Sequence, residues 1–137
     1  MAYLLDTDTC ICMINRRPGY EGILGRMGGL RYGDVLLSTI TLAELRYGVA
    51  KSGHRERNRD RLEMFLARFE ERDFDASASR AYGSIRAQLE AAGTPIGPLD
   101  TLLAAHALSL GAIMVTNNVR EFSRVTGLAL ENWAAAP

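Results

Sequence analysis

The residues in this sequence best equipped for chemistry are carboxylates that sit at the ends of apolar runs. Asp6 closes the run Ala2 to Leu5, Glu44 comes shortly after the β-branched run Val35 to Ile40, and Asp100 follows Pro98 at the head of another apolar segment. Asn118 and Glu121 come after a further run, Ala112 to Thr116, and Asp8 lies just beyond Asp6. The sequence around Asp6 and Asp100 is strongly apolar, with Leu4, Leu5, Leu99, Leu102 and Leu103. Gathering several carboxylates beside such side chains is costly unless a positive charge sits among them. A divalent cation supplies that charge. Mg²⁺ or Mn²⁺ suits oxygen ligands, and zinc is disfavoured without softer ones. A cation held this way binds a phosphate oxygen, orients a water and lowers its pKa. Two of them about 4 Å apart would stabilise both the attacking and the leaving oxygen of an in-line displacement. The expected reaction is hydrolysis of a phosphodiester by water, with no covalent intermediate.

Whether the acids meet depends on the elements that carry them. Ala2 to Leu5 reads as a buried strand, with Asp8 or Thr9 as N-cap of a short helix through Ile14. Pro18-Gly19 marks a turn, and Tyr20 to Met27 a second short helix closed by Gly28-Gly29. Val35 to Ile40 reads as a second strand, followed by a helix from Thr41 to Ala50. Leu62, Phe65, Leu66 and Phe69 recur at helical spacing and predict one long helix from Arg55 to Glu71, with a brief edge strand at Asp73 to Asp75. Helices are expected over Ser77 to Ala92, stopped by Gly93, and over Leu99 to Leu110, stopped by Gly111. Ala112 to Thr116 reads as a third buried strand, Leu128 to Leu130 as a last one, and Ala134 to Pro137 as a frayed tail. Strands alternating with helices imply an α/β architecture, a parallel sheet of four to five strands flanked by helices on both faces. In such sheets sites form beyond the carboxyl ends of the strands, which is where Asp6, Glu44, Asp100 and Asn118 fall.

Size and charge narrow the field. A chain of 137 residues suits a single domain with one self-sufficient core. The formal net charge is +0, so nucleic-acid binding must come from a local patch. The main basic stretch spans residues 51–61 and is interleaved with acids, which also fits a solvated helix face. Arg46 and Arg86, nearer the expected site, are better placed to contact phosphate through the planar guanidinium. Cys10 and Cys12 are too few for a disulfide framework or a four-ligand zinc site and are read as reduced core residues, which suits a cytoplasmic protein. No signal peptide and no membrane-spanning run is expected.

With these motifs assembled, the chain resembles the PIN-domain nucleases, and among them the VapC-type toxins of bacterial toxin–antitoxin systems. The matching stretches are YLLDTDTCI at 3–11, STITLAELRYGVAKS at 38–52, AYGSIRAQLEAAGTPIGPLDTLLAAHALSLGA at 81–112 and VTNNVREFSRVTGLALENW at 115–133. They cover more than half the chain. The resemblance implies a three-layer PIN fold and a Mg²⁺- or Mn²⁺-dependent endoribonuclease site acting on structured RNA such as a tRNA or rRNA loop. It also implies a homodimer and a cognate VapB-like antitoxin that joins it in a higher complex and blocks the site. The family's metal-binding aspartates match Asp6 and Asp100, and its helix glutamate matches Glu44. Where many PIN domains carry an aspartate in a threonine-x-aspartate context, this chain has Thr116, Asn117 and Asn118. The asparagine lowers the negative charge of the site, and Asp8 could return some of it.

Simpler roles compete for the same residues. Asp6 or Asp8 could cap the first helix. Thr41-x-x-Glu44 is a capping-box sequence, and Asp100 sits where a helix dipole favours a carboxylate. Asn118 could only hold a turn, and Thr116 could bond an acid or a phosphate. His106, on an apolar helix, reads as a core or interface histidine and His54 as a solvated one. Two other functions compete with the nuclease. A degenerate PIN domain could bind RNA or a partner without cutting. A phosphatase of the haloacid dehalogenase type could use Asp6 as nucleophile and Asp8 as general acid. That family needs a threonine where this chain has Cys10, and a downstream lysine, whereas the single lysine is Lys51.

Overall fold

The computed structural model describes residues 1–134. Of the expected frayed tail, residues 135–137 lie outside the described residues. The strands are β1 (Tyr3–Leu5), β2 (Val35–Ser38), β3 (Glu70–Arg72), β4 (Ile113–Val115) and β5 (Leu130–Glu131). They form one sheet in the order β3-β2-β1-β4-β5, with every neighbouring pair parallel. Parallel neighbours need crossovers, and helices supply them. These are α1 (Thr7–Ile14), α2 (Tyr20–Met27), α3 (Thr39–Ala50), α4 (Arg55–Leu66), α5 (Ala76–Ala91), α6 (Pro98–Leu110) and α7 (Val119–Phe122). The chain winds outward from β1 through β2 to β3, then returns to the other side of β1 for β4 and β5. The strand order therefore reverses between β1 and β4, the place where open parallel sheets form their sites.

Alternation along the strands makes two cores. Leu5, Val35, Leu37 and Val115 pack against Met13, Ile23, Leu42, Leu62 and Phe65 from α1 to α4. Leu4, Leu36 and Met114 point the other way, onto Ile85, Leu89, Leu103, Ala104 and Phe122 from α5 to α7. The result is three layers with a sheet buried on both faces, as its short apolar strands predict.

Several expectations need correction. The helix expected to run to Glu71 ends at Leu66, and Phe69 is buried beyond its C-cap, Ala67. β3 is not Asp73 to Asp75 but Glu70–Arg72, paired with Leu36, Leu37 and Ser38. A Glu-Glu-Arg edge strand has charged, partly exposed side chains, which protects the sheet edge and hides the strand from a hydrophobic pattern. β2 stops at Ser38, so α3 starts at Thr39 rather than Thr41. β5 lies at Leu130–Glu131, two residues later than expected at its start. α7 was not anticipated at all. Gly111 closes α6 in the left-handed conformation expected of it, with φ 64°.

Leu4 and Leu5 are both fully buried, one in each core. Leu4→Ala and Leu5→Ala should therefore each destabilise the fold by about 2–5 kcal/mol in urea unfolding, whereas a sheet covered on one face only would register just one of them.

Candidate active site

Asp6 leaves the end of β1 with its backbone N–H bonded to the Val115 carbonyl of β4 at 3.0 Å, so it stands at the reversal of strand order. Its side chain is 4% exposed. Oδ1 accepts the Thr9 N–H at 2.8 Å, which makes Asp6 the N-cap of α1. That role had been expected of Asp8 or Thr9, but Asp8 is exposed and inside the helix. The Thr116 hydroxyl also bonds the Asp6 carboxylate. Burial nevertheless dominates and raises the Asp6 pKa above the usual carboxylate value, against the hydrogen bonds from Thr116 and Thr9.

Asp100 enters from the first turn of α6 and is half-buried. Burial first, and then the negative charges of Glu121, Asp6 and Glu44, push its carboxyl up to about 7. Three acids from different elements therefore act on Asp100, which places it within reach of their fields. Glu121, from α7, moves the opposite way. The Gly97 N–H donated to its Oε1 at 3.1 Å is the main cause of its lowered pKa, and hydrogen bonds from Asn118 and Asp100 add to it. The two neighbouring carboxyls are thus pushed in opposite directions, Asp100 up and Glu121 down. Gly97 leaves room for the pair, since a Cβ there would lie 3.4 Å from Asp100 Oδ2.

Glu44 does not complete a capping box with Thr41. Ser38 caps α3 instead, accepting the Ile40 N–H at 3.0 Å, because the helix begins before Thr41 and leaves it inside the first turn. Glu44 Oε1 accepts the Thr7 hydroxyl at 2.7 Å, and Thr7 Oγ1 is 3.3 Å from Thr41 Oγ1. Thr116 is fully buried, and its Oγ1 accepts the Asn118 N–H at 2.9 Å. Asn118 turns its amide to Glu121 Oε2 at 2.6 Å. The two arginines suggested for phosphate contact are engaged elsewhere, Arg46 with Glu63 at 2.6 Å and Arg86 with Glu90 at 2.8 Å and the Tyr82 hydroxyl at 3.0 Å. Both pairs are exposed, so they hold the guanidinium groups only weakly. His106 is buried, as its apolar helix predicted, and Cys10 and Cys12 are buried free thiols.

Comparison with known proteins agrees with this geometry. The family description "PIN domain" matches residues 3–128. The chain belongs to the PIN-domain family. It is 43% identical over 134 residues to a protein named Ribonuclease VapC2 from Rickettsia felis, covering 97% of this chain and 98% of that one. It is 44% identical over 133 residues to a tRNA(fMet)-specific endonuclease VapC from Salmonella typhimurium, again covering 97% and 98%. Among solved structures, the DNA-bound VapBC complex of Salmonella typhimurium contains a chain that superposes with TM-score 0.90 at 44% identity, covering 97% of this chain and 98% of that one. The protein is a PIN domain of the VapC type.

The PIN-domain site suits a hard cation by its donor set. Its ligand atoms are carboxylate and hydroxyl oxygens, and no ion pair among the described residues joins Asp6, Glu44, Asp100 or Glu121 to a cationic side chain. Among the described residues no three His, Cys, Asp or Glu side chains form a ready-made cage. That fits Mg²⁺, which keeps several waters and takes only one or two carboxylates. Asp6 and Asp100 are the residues that could hold it. Sequence reasoning noted Glu121 only as an acid after the third expected strand and gave it no role. Its signal was its spacing of three residues from Asn118 across a short helix, a pattern too brief to stand out.

The direction of the Asp100 shift sets a pH dependence. Its folded value of about 7 lies above the ordinary 3.8, so the stability it gives is fully present below the lower value and is lost as pH rises through the upper one. A cation would then replace the proton. Thermal unfolding should show Mn²⁺ raising Tm more at about pH 8 than at about pH 6, with the difference removed in Asp100→Asn. An equal cation effect at both pH values would contradict the assignment.

Proposed function

We propose that this protein is a divalent-cation-dependent endoribonuclease that cuts structured RNA, a tRNA above all, and acts as the toxin of a toxin–antitoxin pair. The observation that carries this reading is the convergence of Asp6, Asp100, Glu121 and Glu44 from four elements at the end of β1, with no ion pair to Asp100 among the described residues. The names of the Rickettsia and Salmonella relatives, a ribonuclease and a tRNA(fMet)-specific endonuclease, support the activity and the substrate class. When bound, Mg²⁺ or Mn²⁺ supplies the positive charge that steadies a phosphodiester oxygen and lowers the pKa of an attacking water. Asp6, fixed by the Thr9 N–H and by Thr116, and Asp100 hold the cation. Glu44 has one oxygen tied to Thr7 and the other available to orient a water. Asn118 steadies Glu121, which supplies the charge that an aspartate at position 118 would have carried. Thr116, expected as a candidate phosphate contact, is fully buried and braces Asp6 and Asn118 instead; Arg46 and Arg86 are the candidates for contact with RNA, after exchanging their exposed carboxylate partners for phosphate.

A degenerate binding module would need a site short of acids, and Glu121 argues against that. A phosphatase nucleophile would need an accessible Asp6, whereas Asp6 is 4% exposed and caps a helix.

A groove of about 910 Å³ borders the site on the Thr7 and Glu44 side. Its floor is apolar, with Ile11, Ile14, Leu45 and Leu62, and Arg17, Lys51 and Arg61 add positive charge. This is the surface on which a VapB-like antitoxin would lie and reach the acids, in keeping with the VapBC complex of the Salmonella relative. A homodimer, with two toxins in the higher complex, completes the reading.

Purified protein should cleave tRNA only with added Mg²⁺ or Mn²⁺ and stop with EDTA, and folded Asp100→Asn should lose at least about a hundredfold in kcat. Cleavage that survives both treatments, or release of phosphate from small phosphomonoesters, would sink the proposal. Tyr47 is 65% exposed on the groove wall. Tyr47→Glu should weaken antitoxin binding by about tenfold or more in a pull-down titration while tRNA cleavage by the free toxin stays within about twofold.

A further inference from the structure

The largest buried titratable group that the proposed chemistry leaves unused is His106. It is 1% exposed, in the middle of α6. Its Nδ1 lies 2.8 Å from Ser38 Oγ, and its Nε2 has no close hydrogen-bond partner, though the Asp73 backbone also acts on the ring. Ser38 is the N-cap of α3. Its Oγ already accepts the Ile40 N–H, so its hydroxyl proton is free for Nδ1. The Phe74 ring packs edge-on to the imidazole, with centroids 5.5 Å apart, and the Phe74 N–H donates to Thr39 Oγ1 at 3.1 Å. The first turn of α3 is thus gripped from two sides, by α6 through His106 and by the β3–α5 loop through Phe74.

These two helices carry acids of the site. Glu44 lies six residues from Ser38, and Asp100 six residues from His106. At about 1.5 Å per residue, each acid sits roughly 9 Å along its helix from the shared bond. Among the described residues no other side-chain hydrogen bond joins α6 to α3 or its cap. A slip at this bond moves one acid relative to the other, and displacements of about 1 Å at a reacting centre cost up to about a hundredfold.

We propose that His106 is a positioning residue, a buried pin between α6 and the cap of α3 that sets the placement of Asp100 relative to Glu44. The pin works with the neutral ring, Nδ1 accepting from Ser38 and the proton on Nε2. The charged groups facing it are Asp75, Arg72 and Asp73, and burial outweighs the two acids and keeps its pKa below the usual histidine value. The inference rests on the nuclease reading of the acids.

The test uses the full chain. His106→Asn keeps a polar atom near the Nδ1 position, and His106→Leu removes it. Folded His106→Leu should bind Mn²⁺ about tenfold more weakly by calorimetry without RNA and lose about tenfold in kcat on tRNA, with KM within about twofold; His106→Asn should recover most of both. If His106→Leu does not fold, Ser38→Ala breaks the same bond from the other end and should show the same losses. Ring ¹⁵N NMR of the wild type should find His106 neutral at neutral pH with its proton on Nε2. A charged ring there, unchanged Mn²⁺ affinity in folded His106→Leu, or equal losses in the Asn and Leu variants would overturn the inference. A wild type that binds Mn²⁺ but cuts no RNA would instead overturn the nuclease reading and leave the Mn²⁺ comparison to decide on the pin.

Discussion

Like charge held close together at the end of β1 is the constraint on which this structure turns. Asp6, Asp100 and Glu121, with Glu44 beside them, bring carboxylates from four elements to one place, and among the described residues no arginine or lysine forms an ion pair with them, Arg124 acting on Glu121 only from a distance. Repulsion and burial would drive such a group apart or neutralise it. Here the response is divided. Asp6 is held by two hydrogen bonds, the Asp100 carboxyl is pushed toward its neutral form, and Glu121 stays charged, anchored to the Gly97 N–H.

The fold makes that arrangement affordable by using helix starts. Asp6 caps α1, Asp100 lies in the first turn of α6, and Glu121 in that of α7. A helix N-terminus offers unpaired N–H groups and a favourable dipole, so each acid is partly compensated before any ligand arrives. The capping bond also fixes the Asp6 side chain. Its dual character, structural cap and candidate ligand, is a form of preorganisation, because the geometry needed by the helix is the geometry presented to the site. Glu44 is the exception, lying further along α3, and it is braced by Thr7 of the neighbouring helix.

Bracing of this kind extends outward. Thr116 links Asn118 to Asp6, Asn118 links to Glu121, and Ser38 links α3 to His106 on α6. The Thr116–Asp6 and Ser38–His106 links cross between elements that the sheet alone would leave free to shift. The small hydroxyl residues Thr7, Thr41, Thr116 and Ser38, all buried, do most of this joining. Buried hydroxyls hold elements in register only where their partners are supplied, and here nearly all are.

Much of the fold was legible in the sequence. Buried parallel strands are continuous apolar runs, and the amphipathic helices between them repeat at their own period, so β1, β2, β4 and most helices could be read locally. Asp6, Glu44 and Asp100 were legible for the same reason, as acids at the ends of those runs. What tertiary structure alone decided depends on partners distant in the chain. Glu70–Arg72 is a strand because β2 offers a ladder to it, not because its charged side chains favour one. Thr41 and Glu44 spell a capping box, yet Ser38 caps the helix because the sheet releases the chain there. Glu121 becomes part of the site through a four-residue helix too short to have a period, and its partner Gly97 lies 24 residues away. Local pattern fixes where hydrophobic surface must go; which polar atoms then meet is settled only when the layers close.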